Sequence, residues 1–433
     1  MNARPVAEIR DPVHGYIKLT EVERDVVDSP FIQRLRRIHQ LAGSYLVYPG
    51  AVHSRFEHVV GAMHLAGRIT ESLAQEGSID DDWAQEIRLA ALLHDIGHGP
   101  FSHTYEEVLA ERGRTTHEDI SQRLILETPI KDILERRGFS AKKMSHLCVG
   151  KQSKAPPFTN EIIAGGLSAD IMDYLPRDSY FTGVEYGKVD VQRIIDSLHL
   201  AGGHLALDEA ASYAFEALLI ARYEMFKAVY FHRTVRAGEV MLVQSMKFAD
   251  EALGLTNLSN LRLYLELTDE VVLQRLSTLP TSSRGLRKAR SLALGFKNRE
   301  LVKCVYEEVV QRKDKVVGQL FADGKVRRQV TLQLAESAGV DPTSIYIDVP
   351  TTPSVPNTYS EEALTSVKLL RTEGRKRTAK TVPLSDFPLA GSIAGFMNVI
   401  RVYTTAENRR AVGAATAKLF RNHGILRESS RAS

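Results

Sequence analysis

The stretch that decides the fold is LLHDIGHGPFSH, residues 92–103. It overlaps the end of a predicted helix over 83–95, whose apolar residues recur at helical spacing behind an acidic front end. His94 and Asp95 stand side by side near the end of that helix, and the glycines and the proline that follow break it. Neighbouring side chains diverge by about 100° on a helix, yet both can reach one ion lying over the helix end. Since two ligands are too few, the pattern predicts further ligands elsewhere in the chain.

Histidines are concentrated in the first part of the chain, where ten of the fourteen lie before residue 150. Because imidazole is the commonest metal ligand and a near-neutral acid or base, this distribution indicates a site there. The candidates to complete the ligand set are His58, within HSRFEH (53–58), and Asp170, within SADIMDYLPRD (168–178). Such a mixed nitrogen and oxygen set suits Fe, Mn, Ni, Zn or Co. The absence of an HExxH motif argues against a zincin.

Hydrophobic periodicity predicts a chain that is mainly α-helical, with a smaller α+β region towards its C-terminal end. The predicted helices cover 56–73, 83–95, about 102–112 with Ser102 as N-cap, a segment opened by Thr116, a long stretch over 208–253 interrupted only by Gly238, and 406–421. The β-rich segments are a hairpin over 198–207 around Gly202 and Gly203, and runs over 344–350, 366–371 and 398–404. Turn signals at 254–260 divide the chain into residues 1–253 and 254–433.

The composition excludes two classes of protein. With 433 residues, of which 43% are hydrophobic and 25% charged, the chain can bury a sizeable core, so a disordered protein is excluded. No apolar run reaches about 18 residues, so a membrane protein is excluded as well. Cys148 and Cys304 make neither a disulfide framework nor a metal knuckle, which favours a reducing, cytoplasmic compartment. A net charge of +3 implies no nucleic-acid partner by itself, and the basic run 371–380 is expected to be a solvated loop.

Several motifs occur in the order of a known family. They are DPVHGYIKL (11–19), DSPFIQRLRRIHQLAGSYLVYPGAVHSRFEH (28–58), HDIGHGPFSH (94–103), THEDIS (116–121), DIMDYLPRDSYFTG (170–183), the block 222–235 and ARSLALGFKNRELVKCV (289–305). Over roughly residues 1–310 the chain resembles the HD-domain deoxynucleoside triphosphate triphosphohydrolases of the sterile-alpha-motif-and-HD type and their bacterial and archaeal relatives. The resemblance implies an HD-domain helical bundle as catalytic core over 1–253. The helical and α+β region over 254–433 would then support oligomer contacts, as a dimer or tetramer.

The resemblance also implies roles for individual positions in the reaction. Four positions match the ligands of a divalent ion (Mn, Fe, Mg, Ni, Co or Zn): His58, His94, Asp95 and Asp170. Four positions match the catalytic group beside the α-phosphate: His98, His103, Glu106 and His117. In that group His103 is the expected general acid for the leaving oxygen. Glu106 stands where the relatives have aspartate, as a partner for His98 or His117.

Further positions match nucleotide contacts of the family. Seven match contacts to a deoxynucleoside triphosphate (dNTP) substrate: Gln40, Leu41, Arg55, Tyr174, Asp178, Arg222 and Tyr230. Three match positions that read a guanine nucleotide effector at a subunit interface: Asp28, Gln33 and Arg36. Ile171 departs from the pattern, since relatives carry a lysine there that touches phosphate.

The sequence therefore predicts a dNTP triphosphohydrolase in which a metal-activated water attacks the α-phosphorus, releasing deoxynucleoside and triphosphate, with activation by a nucleotide as a further expectation. Two alternatives stay open. One is an HD-domain phosphohydrolase acting on another nucleotide or phosphoester. The other is a nucleotide-sensing or nucleic-acid-binding protein with a vestigial site.

Overall fold

The computed structural model describes residues 5–75, 79, 81–113, 115–310, 323–349, 351–353, 366–373, 376–389 and 396–422. The first part of the chain is helical apart from two hairpins. Its strands are β1 (Ala7–Asp11), β2 (Gly15–Leu19), β3 (Leu198–Ala201) and β4 (His204–Asp208). Its helices up to the second hairpin are α1 (Glu21–Val27), α2 (Pro30–Arg34), α3 (Arg55–Gln75), α4 (Asp81–Leu93), α5 (His103–Arg112), α6 (His117–Glu127), α7 (Pro129–Arg136), α8 (Ala141–Leu147), α9 (Pro157–Ala164), α10 (Ala169–Thr182) and α11 (Val191–Ile195). In the ranges that the structure describes, no helix combines the length and the apolar character that crossing a bilayer requires.

The second part combines helices with two sheets. After the second hairpin come the helices α12 (Ser212–Met225), α13 (Arg233–Leu253), α14 (Leu261–Tyr264), α15 (Asp269–Ser277), α16 (Arg284–Lys297), α17 (Gly324–Ala338) and α18 (Arg409–Asn422). The strands are β5 (Lys303–Val310), β6 (Ile345–Asp348), β7 (Thr351–Pro353), β8 (Ser366–Glu373), β9 (Lys376–Pro383) and β10 (Phe396–Thr404). The mainly α-helical class and the α+β character of the C-terminal region are thereby confirmed.

Each sheet has its own pairing order. In the first, β10 pairs antiparallel with β5 on one side and with β6 and β7 on the other. In the second, the order is β3-β4-β8-β9, and β4 and β8 run parallel with Leu207 opposite Leu369. The predicted hairpin over 198–207 is therefore correct, but the hairpin also recruits two strands from far along the chain. The basic run 371–380, expected as a solvated loop, lies instead on β8 and β9 where the structure describes it.

The main hydrophobic core does not end at the predicted division after residue 253. It extends from Ile17 through the helices to Phe296, and Val367 and Leu369 of β8 join it. A smaller core lies between α17, α18 and the first sheet, around Leu334, Val402 and other apolar side chains. Residues 254–297 thus pack with the first part of the chain, and the division into 1–253 and 254–433 stays a prediction about organisation.

The prediction that Gly238 alone interrupts the helix over 208–253 is wrong. Gly238 lies inside α13, where an added Cβ would contact the ring of Phe296 at 3.2 Å. The break comes earlier, after a π-helical turn over Phe226–Tyr230. There the carbonyl oxygen of Phe231 accepts a hydrogen bond from Arg401 at 2.7 Å. A distant strand thus stabilises the break, which local periodicity does not reveal.

The ends of the helices around residues 92–121 follow local chemistry with one exception. Thr116 and Asp119 form the predicted capping box of α6. Helix α4 ends at Leu93, two residues before the predicted end, so His94 and Asp95 lie on the turn beyond it. Ser102 precedes α5 as expected but makes no side-chain cap, because its φ of 56° is left-handed and its hydroxyl donates to the carbonyl of His39 at 2.7 Å.

Candidate active site

The four candidate metal ligands converge from three elements. His58 lies in the first turn and a half of α3, His94 and Asp95 follow α4, and Asp170 lies in the first turn of α10. The Nε2 atom of His58 lies 3.2 Å from Nε2 of His94 and 3.2 Å from Oδ1 of Asp170. Nε2 of His94 lies 3.4 Å from Oδ1 of Asp95 and 3.8 Å from Oδ1 of Asp170. Ligand atoms of His58, His94 and Asp95 thus lie within 4.8 Å of one another, and the carboxylate of Asp170 lies beside the two imidazoles.

Hydrogen bonds at the far side of both imidazoles orient this set. Nδ1 of His58 lies 2.8 Å from Oδ2 of Asp173, and Nδ1 of His94 lies 2.7 Å from the carbonyl oxygen of Ala91. Each contact makes Nδ1 the protonated nitrogen of a neutral ring and leaves the Nε2 lone pair for an ion, the usual arrangement of metal-binding histidines. The donor set of two nitrogens and two carboxylates therefore fits a divalent first-row ion.

Without an ion, hydrogen bonds join the imidazoles and carboxylates of this set. Burial alone would lower the pKa of His58, but hydrogen bonds to Asp170 and Asp173 outweigh it and raise the pKa to about 10. Burial would raise the pKa of Asp170, but hydrogen bonds from His58 and His94 hold it below its ordinary value. The carboxylates therefore favour a positive charge at the centre of the site.

A buried ion network behind His58 is the main feature that the sequence reasoning missed. Asp173 accepts hydrogen bonds from Nε and Nη2 of Arg177, each at 2.8 Å, and Arg177 also donates to Asp11 at 2.8 Å. Nε2 of His14 lies 2.6 Å from Oδ1 of Asp173. Spacing in SADIMDYLPRD could have indicated the pair of Asp173 and Arg177, because residues three or four positions apart share a helix face.

A second cluster lies beside the first, around Glu106. Its carboxylate contacts Nδ1 of His103 at 2.7 Å and Nδ1 of His117. His98 stacks on His117 with ring centroids 3.9 Å apart and approaches Oδ1 of Asp95 with Nε2 at 3.3 Å. Glu106 thus partners His117, as one expectation had it, and also His103, but no contact with His98 is found among the described residues.

Opposite pKa shifts distinguish the two stacked imidazoles. Burial and the nearby charge of Arg55 lower the pKa of His98 well below its ordinary value. Burial also disfavours charge on His117, but Glu106 outweighs it and raises the pKa of His117 to about 9. Burial would raise the pKa of Glu106, whereas His117 and His103 keep it well below its ordinary range. The cluster therefore pairs a neutral imidazole, His98, with a positively charged imidazolium, His117.

Both clusters open into a cleft of about 1730 Å³, and every predicted substrate contact lines it. These residues are Gln40, Leu41, Arg55, Tyr174, Asp178, Arg222 and Tyr230. Buried Arg55 donates to Asp95 and, at 2.7 Å, to the hydroxyl of Ser102. The hydroxyl of Tyr230 donates to Asp178 at 2.7 Å, and His53 lies 2.8 Å from the other carboxylate oxygen of Asp178. Ile171 lies in the cleft wall as well.

The predicted effector residues lie outside the lining of this cleft. Nε of Arg36 donates to Oε1 of Gln33 at 2.9 Å, and its guanidinium lies 3.5 Å from the centre of the Phe56 ring. Asp28 caps the C-terminal end of α1. The three residues therefore belong to the surface around α1 and α2.

Two family models match this chain. The HD domain model matches residues 55–178, and the HD associated region model matches 189–372. A deoxynucleoside triphosphate triphosphohydrolase SAMHD1 homolog of Dictyostelium discoideum is 32% identical over 321 residues, which are 71% of this chain and 61% of that protein. The uncharacterized protein YwfO of Bacillus subtilis is 35% identical over 245 residues, 56% of this chain and 55% of that protein.

Similarity also extends to solved structures. The crystal structure of a phosphohydrolase from Bacteroides thetaiotaomicron matches with a TM-score of 0.72 at 27% identity, covering 92% of this chain and 99% of that one. The match to curated relatives is shorter, since the chain spans 55% and 61% of the lengths of the two relatives above.

Proposed function

Because the chain belongs to the HD-domain phosphohydrolase family, we propose that it hydrolyses deoxynucleoside triphosphates to deoxynucleoside and triphosphate. The observation that carries the proposal is the adjacency of two unlike clusters at one cleft. The candidate ligands around His58 adjoin the acid and base group around Glu106 at Asp95, whose Oδ1 lies 3.3 Å from Nε2 of His98. Phosphoester hydrolysis needs both an activated water and a proton donor for the leaving oxygen.

The residues that would hold a divalent ion are His58, His94, Asp95 and Asp170. Such an ion supplies Lewis-acid activation of a water molecule and neutralises phosphate charge. The protein's own part is to present two Nε2 lone pairs, which Asp173 and the carbonyl of Ala91 orient. Mn, Fe, Mg, Ni, Co and Zn are the candidate ions.

The proton for the leaving 5′-oxygen comes from His103 in this proposal. Its side chain is 72% exposed and lies at the cleft, so it can reach a bound substrate. Glu106 holds Nδ1 of His103 at 2.7 Å, which leaves Nε2 as the nitrogen that gives the proton. Glu106 also binds His117, so one carboxylate fixes the orientation of two imidazoles.

The remaining lining residues suit a triphosphate on a sugar. The guanidinium groups of Arg55 and Arg222 supply positive charge for the phosphates. Tyr174, Tyr230 and Asp178 form a wall whose hydroxyl and carboxylate groups can bind a sugar hydroxyl. A guanine nucleotide at Asp28, Gln33 and Arg36 and assembly into dimers or tetramers are parts of the same proposal.

One observation favours a second candidate within the family. Ile171 is 3% exposed in the cleft wall, at a position where the resemblance leads one to expect a phosphate-binding lysine. A wall with one cation fewer suits a substrate with fewer phosphates. The second candidate is therefore a phosphohydrolase acting on another nucleotide or phosphoester.

The test is product analysis. Purified protein is incubated with each dNTP and with GTP, singly and mixed, with Mn²⁺ or Mg²⁺, and the products are separated by ion exchange. We expect deoxynucleoside and intact triphosphate, with loss of both in His94→Ala and Asp95→Ala. His146→Ala, a half-buried histidine outside the cleft lining, is the matched control and should keep the activity. Pyrophosphate or orthophosphate as the product would favour the second candidate, and turnover only in mixtures would support the effector site.

A further inference from the structure

A buried histidine outside the cleft holds Asp178, which lines it. Nε2 of His53 lies 2.8 Å from Oδ1 of Asp178, and the two side chains are 0% and 2% exposed. Because a carboxylate only accepts hydrogen bonds, Nε2 is the donor of this bond. His53 itself lies outside the lining of the cleft. It therefore binds a cleft-lining carboxylate without meeting a molecule in the cleft.

The ring of His53 is held in place by its neighbours. It stacks on Phe181 of α10, with ring centroids 4.5 Å apart and planes 12° from parallel. The loop that leads to His53 is packed against the same residue, since a Cβ added at Gly50 would lie 2.5 Å from the carbonyl oxygen of Phe181. In the part of the chain that the structure describes, Nδ1 of His53 has no hydrogen-bond partner. The contact with Asp178 is thus the side-chain hydrogen bond that orients the ring.

The backbone of His53 lies in the pairing that places two other predicted substrate contacts. Its carbonyl oxygen accepts a hydrogen bond from the backbone N–H of Gln40 at 3.0 Å. Two residues later, the backbone N–H of Arg55 donates to the carbonyl oxygen of Ile38 at 2.9 Å. Gln40 and Arg55 both line the cleft. His53 is therefore fixed relative to these contacts as well as to α10.

The partners of Asp178 orient its carboxylate and leave it able to bind a ligand. Oδ1 accepts from His53, and Oδ2 accepts from the hydroxyl of Tyr230 at 2.7 Å. A carboxylate has about four lone-pair sites, so each oxygen can accept a further hydrogen bond. The last torsion of an aspartate side chain is otherwise broad. Fixing it before a ligand arrives lowers the entropic cost of binding.

We propose that His53 is a positioning residue that fixes the carboxylate of Asp178 for the 3′-hydroxyl of a bound nucleotide. In a 5′-phosphorylated 2′-deoxynucleotide, that hydroxyl is the one free hydroxyl of the sugar. The protein therefore discriminates against nucleotides without a 3′-hydroxyl, and this discrimination depends on the N–H group of residue 53. The inference rests on the proposed function in that a nucleotide sugar lies against Asp178. It does not depend on which phosphate bond is cleaved.

The test compares the binding of dATP and of 2′,3′-dideoxyATP by isothermal titration calorimetry in EDTA, where metal-dependent turnover does not consume the nucleotide. We expect the wild type to bind dATP tighter by about tenfold or more, as the loss of a hydrogen bond to a charged group predicts. His53→Leu should bind the two nucleotides with nearly equal affinity. His53→Gln keeps an N–H donor and should retain most of the discrimination. His146→Leu, at a half-buried histidine outside the cleft lining, is the matched control and should behave as the wild type.

The ratio of the two affinities separates positioning from a purely structural role. A structural role would weaken both nucleotides equally in His53→Leu and leave the ratio unchanged, which would overturn the proposal. Adding His53→Leu to Asp178→Ala should not change the ratio further, because both substitutions remove the same contact. Circular dichroism and Tm establish that each variant is folded.

The wild type alone can also refute the inference. Equal affinity for dATP and 2′,3′-dideoxyATP, or no binding of either, would overturn it. Pyrophosphate or orthophosphate in the product analysis would instead overturn the proposed triphosphohydrolase activity, and the affinity ratios would still decide the role of His53.

Discussion

Arg34 donates a hydrogen bond of 2.8 Å from its guanidinium to the carbonyl oxygen of His98. The same guanidinium donates to the carbonyl oxygen of Leu267 at 3.1 Å and lies 4.3 Å from the centre of the Tyr264 ring. The hydroxyl of Tyr264 in turn donates to the carbonyl oxygen of Gly97 at 2.8 Å. The turn that carries the catalytic candidates is therefore held from behind by the C-terminal end of α2.

Arg34→Met should loosen this turn. The change leaves the carbonyl oxygens of His98 and Leu267 without their donor in a buried place, so the free energy of unfolding should fall by about 1–3 kcal/mol. Urea unfolding measures it. Arg36→Met is the matched control, because Arg36 is exposed, and should change stability by less than about 1 kcal/mol. Equal losses in the free energy of unfolding of the two variants would show that the hydrogen bond to His98 does not stabilise the fold.

Asp173→Asn should weaken metal binding without removing a ligand. The asparagine keeps the shape of Asp173 but loses the charge that orients His58, and loss of such a partner typically lowers affinity by about 10- to 100-fold. Chelator competition measures the dissociation constant. Asp196→Asn, on an exposed carboxylate, is the control and should leave it unchanged. An unchanged affinity in Asp173→Asn would contradict the orienting role.

Gly61→Ala should be destabilising for a steric reason. A Cβ at Gly61 would lie 2.0 Å from Oδ1 of Asp173 and 2.3 Å from Nη2 of Arg177. Displacing this buried pair should cost about 1–3 kcal/mol, as overpacking does, and thermal unfolding measures the loss. Gly166→Ala, where no atom lies within 4 Å of the added Cβ, is the control. A Gly61→Ala protein as stable as the control would mean that the network behind His58 can shift freely.

Glu239 should make stability depend on pH. Burial raises its pKa to about 7, Glu107 and Asp348 raise it as well, and Arg236 lowers it only in part. Because the folded state holds this proton more tightly than the unfolded state, whose pKa is near 4.5, stability falls as pH rises between those two values.

Glu239→Gln should therefore be more stable than the wild type at pH 8, by up to about 3 kcal/mol. The difference should shrink as pH falls from about 7 to about 4.5 and stay constant below that. Urea unfolding from pH 4 to 9 measures both curves, with Glu300→Gln on an exposed carboxylate as control. Parallel curves for the wild type and Glu239→Gln would refute the assignment.

Some of the site follows from the sequence because its signals are local or carried by the resemblance. The motifs that hold His58, His94 and Asp95 identified three side chains whose ligand atoms lie within 4.8 Å of one another, and the motif around Asp170 identified a carboxylate 3.2 Å from His58. What those motifs did not reveal is Asp173, which lies on the same helix as Asp170 but acts through His58 of α3. Its role depends on how α3 and α10 pack, and spacing within one helix does not state which neighbour it faces.

The sequence by itself determined the helical class, the hairpin around Gly202 and the capping box of Thr116, because these depend on periodicity and on contacts within a few residues. Only the tertiary structure decided the left-handed Ser102, which binds Arg55 and His39, and the break after Phe231, which Arg401 stabilises. It also decided the parallel pairing of β4 with β8. The physical reason is that buried hydrogen-bonding groups must find partners wherever the fold brings them, and those partners lie far away in the sequence.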